Sequence, residues 1–209
     1  MNDRNHELET LQDIKRIMER SSRFISLSGL SGIAAGIFAL VGAYIAYDWI
    51  YAFEGNYNDT ASYGSDEFSD LKNRLLLLAA IVLVLSLATA YFFTWRKTKK
   101  DNLPLWDPAS KKLLINMLLP LVVGGLFILA MLQHDSWIFI APACLIFYGL
   151  ALVNASKFTL NAVRYLGICQ IILGLLNTQF IGYGLYFWAF GFGVLHIVYG
   201  IIMWVKYEK

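Results

Sequence analysis

The sequence predicts an all-α polytopic membrane protein with six transmembrane helices and both termini in the cytoplasm. Three observations predict it: a composition too apolar for a water-soluble globule, six apolar segments of membrane-crossing length, and cations crowded on one side. The chain has 209 residues, 58% of them hydrophobic and 15% charged, with a mean hydropathy of +0.55. A soluble domain is nearer half apolar and a quarter charged, and a chain of this length has too little polar surface to cover itself. The apolar content also argues against disorder, and two cysteines do not make a disulfide scaffold.

A helix needs about 20 apolar residues to cross the hydrocarbon core. Six segments qualify: 24–47, 75–95, 113–132, 137–155, 160–180 and 185–205. The fifth is the weakest, because Asn161 and Arg164 interrupt its start. An arginine that near an end can snorkel to the headgroups, so the segment is kept as a span.

Orientation follows from Lys and Arg. The N-terminal segment carries five (Arg4, Lys15, Arg16, Arg20, Arg23) and the second connection six (Arg96, Lys97, Lys99, Lys100, Lys111, Lys112). Lys157 with Arg164 and Lys206 with Lys209 bring that side to fifteen of seventeen, leaving Lys72 and Arg74 opposite. The positive-inside rule places the crowded side in the cytoplasm. Trp49, Trp95, Trp106, Trp137, Trp188 and Trp204 all fall at or near span ends, as an interfacial ring prefers.

The aqueous parts are small. Residues 1–23 read as a cytoplasmic amphipathic helix, with Leu8, Leu11, Ile14, Ile17 and Met18 on one face and Glu19–Arg23 as a helical charge pair. It is read as lying on the inner leaflet, with docking onto a cytoplasmic protein partner as the alternative. No cleavable signal peptide is expected, since no A-x-A site follows the first apolar run. The outer loop 48–70 holds six of the fifteen acidic residues, among Tyr51, Phe53, Tyr57, Tyr63 and Phe68. Residues 206–209 form a short cytoplasmic tail.

Polar side chains within a span are costly and read first as functional. Gln170 and His196 lie near the middle of the fifth and sixth spans, about 14 and 15 Å from their cytoplasmic ends. Two readings stand: an interhelical hydrogen bond that holds helices together, or a proton-sensing or ligand-binding histidine. Asn116 precedes Pro120 by four positions, so the helix ladder loses a donor there and a kink is expected; Pro142 falls in a first turn, where disruption is slight. Ser28, Gly32 and Gly36 repeat at four-residue spacing, and Gly191, Gly193 and Gly200 recur in the sixth span. Such residues let helix backbones approach closely. Packing within one chain is the favoured reading, with a homo-oligomer as the other. Cys144 and Cys169 lie in apolar segments, where a thiol acts as a small hydrophobe.

Catalytic readings find no constellation. Gly29-Leu30-Ser31-Gly32 supplies a serine early in the first span, without the residue that intramembrane serine proteolysis expects after it. His6, His134 and His196 fall at the cytoplasmic end, the outer face and mid-membrane, so no shared metal or haem site forms. Asn56, Asn58, Thr60, Ser62 and Glu67 fall loosely on calcium-loop spacing, but Ala61 replaces the required glycine and position one is not acidic. The Asn58-Asp59-Thr60 sequon carries no weight if the source is bacterial. The basic stretch 96–112 is read as an orientation signal beside anionic lipid rather than a nucleic-acid site, and no phosphate-binding glycine loop is present. No cofactor or metal is expected.

Residues 166–174 (LGICQIILG) and 191–200 (GFGVLHIVYG) resemble the paired glycine-spaced helices of HdeD-type proteins, six-helix inner-membrane proteins associated with acid-stress resistance. The resemblance covers 158–204 and implies a stress-related role. Taken whole, with 21–29 (SSRFISLSG), the chain is also similar to a family of uncharacterised small bacterial membrane proteins, which implies no activity. An internal echo joins Ser22-Arg23-Phe24 to Ser156-Lys157-Phe158, each followed by a Gly-Ile pair; transporter-type repeats would recur over three helices. The expectation is a non-enzymatic inner-membrane protein acting in stress response, signalling or as an accessory subunit. It would contact partners through 1–23 or the outer loop. The alternative is a small transporter or channel with Gln170 and His196 at its midplane.

Overall fold

The computed structural model describes residues 28–56, 66–100 and 106–207, and every regular element within them is helical. In chain order these are α1 (Gly29–Asn56), α2 (Asp66–Lys100), α3 (Pro108–Gln133), α4 (Ile140–Ala155), α5 (Asn161–Gln179) and α6 (Gly184–Tyr207). Single 3-10 turns at Trp137–Phe139 and Ser156–Phe158 prolong α4 at both ends. α6 is α-helical except for one π turn at Ala189–Leu195. Five of these six helices are long and apolar enough to cross a membrane. The exception is α5, the weakest of the six predicted spans, whose nineteen residues include Asn161, Arg164, Gln170 and Asn177.

Residues 1–27, with the first half of the internal echo (Ser22-Arg23-Phe24) and the start of the first predicted span, most of the calcium-like stretch (Asn58, Thr60 and Ser62) and residues 208–209 lie outside the described residues. Helix occupies both ends of the predicted outer loop 48–70. α1 continues through Asp48 and Trp49 to Asn56, and α2 begins at Asp66. A helix ends where its hydrogen-bond ladder is broken, not where the side chains stop being apolar; the first glycine after Tyr47 is Gly55. α3 likewise starts before its apolar run, at Pro108 rather than Leu113. Asp107 caps it: its carboxylate accepts from the Ser110 N–H at 2.6 Å, and its own N–H donates to Ser110 Oγ at 3.0 Å. This capping box, with proline at the first helical position, fixes the start.

Two close pairs form the centre. α1 packs against α6 and α4 against α5, and the first half of α6 also touches α4 and α5, which joins the pairs. α2 lies on the outside of α1 and α3 on the outside of α4. Glycine sets both close approaches. A Cβ on Gly36 would stand 2.6 Å from Gly193 O, and one on Gly200 2.6 Å from Gly29 O and 2.7 Å from Ile33 N. Across the other pair a Cβ on Gly149 would stand 2.7 Å from Gly167 O, and one on Gly167 2.8 Å from Gly149 O. Backbone faces backbone at these points, so no larger residue fits without separating the helices.

The α3–α4 and α5–α6 hairpins each turn on one left-handed residue, Asp135 (φ 52°) and Gly182 (φ 95°). Asp135 is also a hub. Trp137 Nε1 donates to its Oδ1 at 3.2 Å, and Lys72 Nζ reaches the same oxygen from α2 at 3.3 Å. The ammonium lies 4.9 Å from the Trp137 ring centroid and 5.0 Å from that of Phe68, within cation–π range. The Trp137 bond and then Lys72 hold the Asp135 carboxyl below the usual carboxylate range. Because the folded-state value is depressed, this tie is present above the unfolded carboxylate value near 3.9 and fades as pH falls through the lower folded one. The difference in tryptophan emission between the parent and Trp137→Phe is expected to stay flat down to about pH 4. A change centred above pH 5 would contradict the assignment.

Candidate functional site

The predicted polar pair sits where α4, α5 and α6 meet, but Gln170 and His196 do not bond to each other. Both turn to a third group, the carbonyl of Gly191. Gln170 Nε2 donates to it at 2.8 Å, and His196 Nδ1 lies 3.0 Å from it. A carbonyl oxygen only accepts, so the proton of the neutral imidazole is on Nδ1. Nε2 is then an acceptor, and Tyr148 Oη of α4 donates to it at 2.8 Å. The result is a chain of three side chains and one backbone oxygen that spans three helices.

Local geometry explains why this carbonyl is chosen. Gly191 lies within the π turn of α6, where the backbone departs from the α-helical ladder. The close approach also needs glycine: a Cβ there would stand 2.6 Å from Gln170 Oε1 and collide with Leu145 Cδ2. Gln170 is fully buried and His196 is 7% exposed. Phe192 stacks on the imidazole at 5.9 Å and touches Tyr148 at 5.1 Å, with Trp188 beyond it. On the other side Leu152, Val163 and Leu166 form an apolar cluster against which Tyr148, Leu195 and Tyr199 pack. Among the described residues, Gln170 Oε1, Asn177 Oδ1 and Tyr199 Oη are buried without a hydrogen-bond partner.

The second predicted feature follows the same logic. Pro120 has no N–H to offer the carbonyl four residues earlier, and Asn154 Nδ2 of α4 donates to that Asn116 oxygen at 2.8 Å. The Asn116 amide itself turns back to Lys112 O at 2.8 Å. Replacing Asn154 with Leu is expected to cost about 1 kcal/mol, measured by denaturant titration in detergent. In a Pro120→Ala background the restored N–H competes for the carbonyl, and the cost should shrink. Equal costs in both backgrounds would refute the coupling.

The predicted small residues Gly32, Gly36, Gly193 and Gly200 all lie on the α1–α6 contact; a Cβ on Gly32 would stand 3.2 Å from the Gly200 Cα. Ser28 is buried at the start of α1, with its carbonyl accepting from Ser31. Gly191 belongs instead to the polar chain. Sequence reasoning missed Tyr148 and Asn154, whose partners are more than thirty residues away. It also missed Gly149, and it quoted Gly29, Gly167 and Gly174 within motifs without assigning them to the helix contacts they make.

Among the described residues no three His, Cys, Asp or Glu side chains gather into a metal-binding group. Cys144 and Cys169 are free thiols, the first half-buried and the second exposed. No protein-family model, curated protein or solved structure matches the chain.

Proposed function

We propose that the chain is a multi-pass protein of the bacterial inner membrane, with both termini cytoplasmic, that works without catalysis as an accessory or signalling subunit in membrane stress. One observation carries the non-catalytic part: the two midplane polar side chains are spent on structure. Gln170 and His196 are buried and directed at the Gly191 carbonyl, with Phe192 and Tyr148 closing the contact. The orientation rests on fifteen cations against two. The stress element rests on the resemblance of 158–204 to HdeD-type proteins. The segment 1–23 and the acidic stretch 48–70 are the proposed contact surfaces for a protein partner.

A second reading, a small transporter or channel, draws on Gln170 Oε1 and Tyr199 Oη, two buried oxygens without partners. The two readings part on hydration. In a Cys144→Ala, Cys169→Ala background, Gln170→Cys and His196→Cys are probed in intact membranes with a small, charged thiol reagent. A dry helix contact leaves both unreactive, and labelling of either favours the conduit. Purification in mild detergent then tests the accessory role directly, which requires a stoichiometric co-purifying protein.

A further inference from the structure

α1 keeps a charged side chain on its exposed surface within an apolar span. Asp48 lies inside Gly29–Phe53, the stretch of α1 long and apolar enough to cross a membrane, about 7.5 Å short of its end. It is exposed and, among the described residues, takes part in no ion pair. A carboxylate at that depth is costly unless a cation meets it, and the protein has none to spare there. Lys72 and Arg74 are the cations of that end of the bundle, since no other Lys or Arg occurs in 24–95, 113–156 or 165–205. Lys72 is held by Asp135 and by the rings of Phe68 and Trp137, and Arg74 by Asp70 at 2.7 Å. His134 ends α3, which packs on α4.

The exposed side chains around Asp48 are tyrosines in mutual contact. Tyr44, Tyr47, Asp48 and Tyr51 follow at helical spacing and share one face of α1. Tyr47 stacks on Tyr51 at 6.1 Å and meets Tyr186 of α6 edge-on at 6.3 Å; Tyr186 in turn contacts Tyr183 at 6.1 Å. All five rings are exposed. Rings that only anchor a helix at the headgroup layer need not touch one another. Here a row of four crosses from α1 to α6 beside an unpaired carboxylate, and ring faces attract a cation as a carboxylate does. Toward the middle of α1 the same face continues as exposed Val41 and Ile37.

We infer that this face holds one phospholipid with a primary ammonium headgroup, its ammonium on Asp48 beside Tyr47 and Tyr186 and an acyl chain along Val41 and Ile37. Charge and hydrogen bonding select the headgroup. A primary ammonium donates N–H bonds to the carboxylate while its charge lies against the rings. A quaternary ammonium is drawn to the rings but has no N–H to donate, and an anionic headgroup meets only repulsion from Asp48. The apolar continuation selects a lipid over a free amine.

The inference rests on membrane embedding, so alkaline extraction of membranes comes first; release of the protein there sinks both readings. For embedded protein, native mass spectrometry compares retention of phosphatidylethanolamine, phosphatidylcholine and phosphatidylglycerol of the same chains. The parent should retain them in that order, the first about fivefold over the second. Asp48→Asn should bring the first down to the level of the second, whereas Glu67→Gln, at an exposed acid of the same end, should leave the ratio unchanged. Tyr47→Leu plus Tyr186→Leu should lower retention of both ammonium lipids. All the substituted side chains are exposed, so thermal unfolding should stay close to that of the parent. Equal retention of the first two lipids by the parent, an unchanged preference in Asp48→Asn, or full retention by the tyrosine variant each overturns the proposal. So does a stoichiometric second polypeptide that binds the parent but not Asp48→Asn, which gives the face to a protein cation instead.

Discussion

A chain carrying Gly200→Val is expected to lose about 3 kcal/mol of stability, among the largest effects of any single substitution in this protein. The added side chain would enter α1 between Gly29 O and Ile33 N, at 2.6 and 2.7 Å already for the first carbon. Neither obstacle is a flexible side chain that can rotate away; the helices must separate along the contact that also includes Gly32, Gly36 and Gly193. Gly125→Val is the matched comparison. Gly125 lies in mid-helix on an exposed face of α3 with open space around it, so the same change there should stay within about 0.5 kcal/mol. Denaturant titration in one detergent measures both. Similar losses at the two sites would mean that helix propensity, not backbone approach, governs the result.

His196→Leu should be nearly as costly, at about 3 kcal/mol. It strands the Tyr148 hydroxyl in a buried contact and removes one of the two side-chain donors to Gly191 O. Gln170→Leu is expected to cost less. It removes a donor from the same oxygen but also removes the unpartnered Oε1, and His196 still serves the carbonyl. Tyr148→Phe should cost about 1 kcal/mol, because it leaves only the imidazole Nε2 unmatched. Circular dichroism and thermal unfolding give the ranking. A structure that tolerated His196→Leu but not Gln170→Leu would contradict the shared-acceptor account.

The helical architecture was legible because its determinant is compositional: long apolar runs leave the backbone no option but to satisfy itself within a helix. Helix ends were less legible. α1 runs on past Tyr47 through Asp48, Trp49 and Tyr51, since nothing there breaks the ladder. The start of α3 was in principle readable, because Asp107-Pro108-Ala109-Ser110 is a capping box written in sequence. Half of the polar site was visible, since Gln170 and His196 are the conspicuous polar residues of their spans. Their meeting point was not: a backbone carbonyl has no letter in the sequence, and neither has the π turn that presents Gly191. Tyr148 is hidden for a related reason. A tyrosine in an apolar run resembles ordinary core until its hydroxyl is located. Asn154 is the same case against Pro120, where the proline announces a missing donor without saying which neighbour supplies another.

α5 leans on α4 through Gly149, Gly167 and Gly174 while carrying Arg164, Gln170 and Asn177. For a chain inserted during synthesis, so polar a segment partitions poorly from the translocon into lipid when it is alone. The fourth helix, made just before it, supplies the complementary wall, and only five residues, 156–160, separate the two. On such a route, entry of the fifth segment would be a joint event, begun in company with its predecessor. It would be complete once the sixth emerges and Gly191 receives the waiting amide of Gln170.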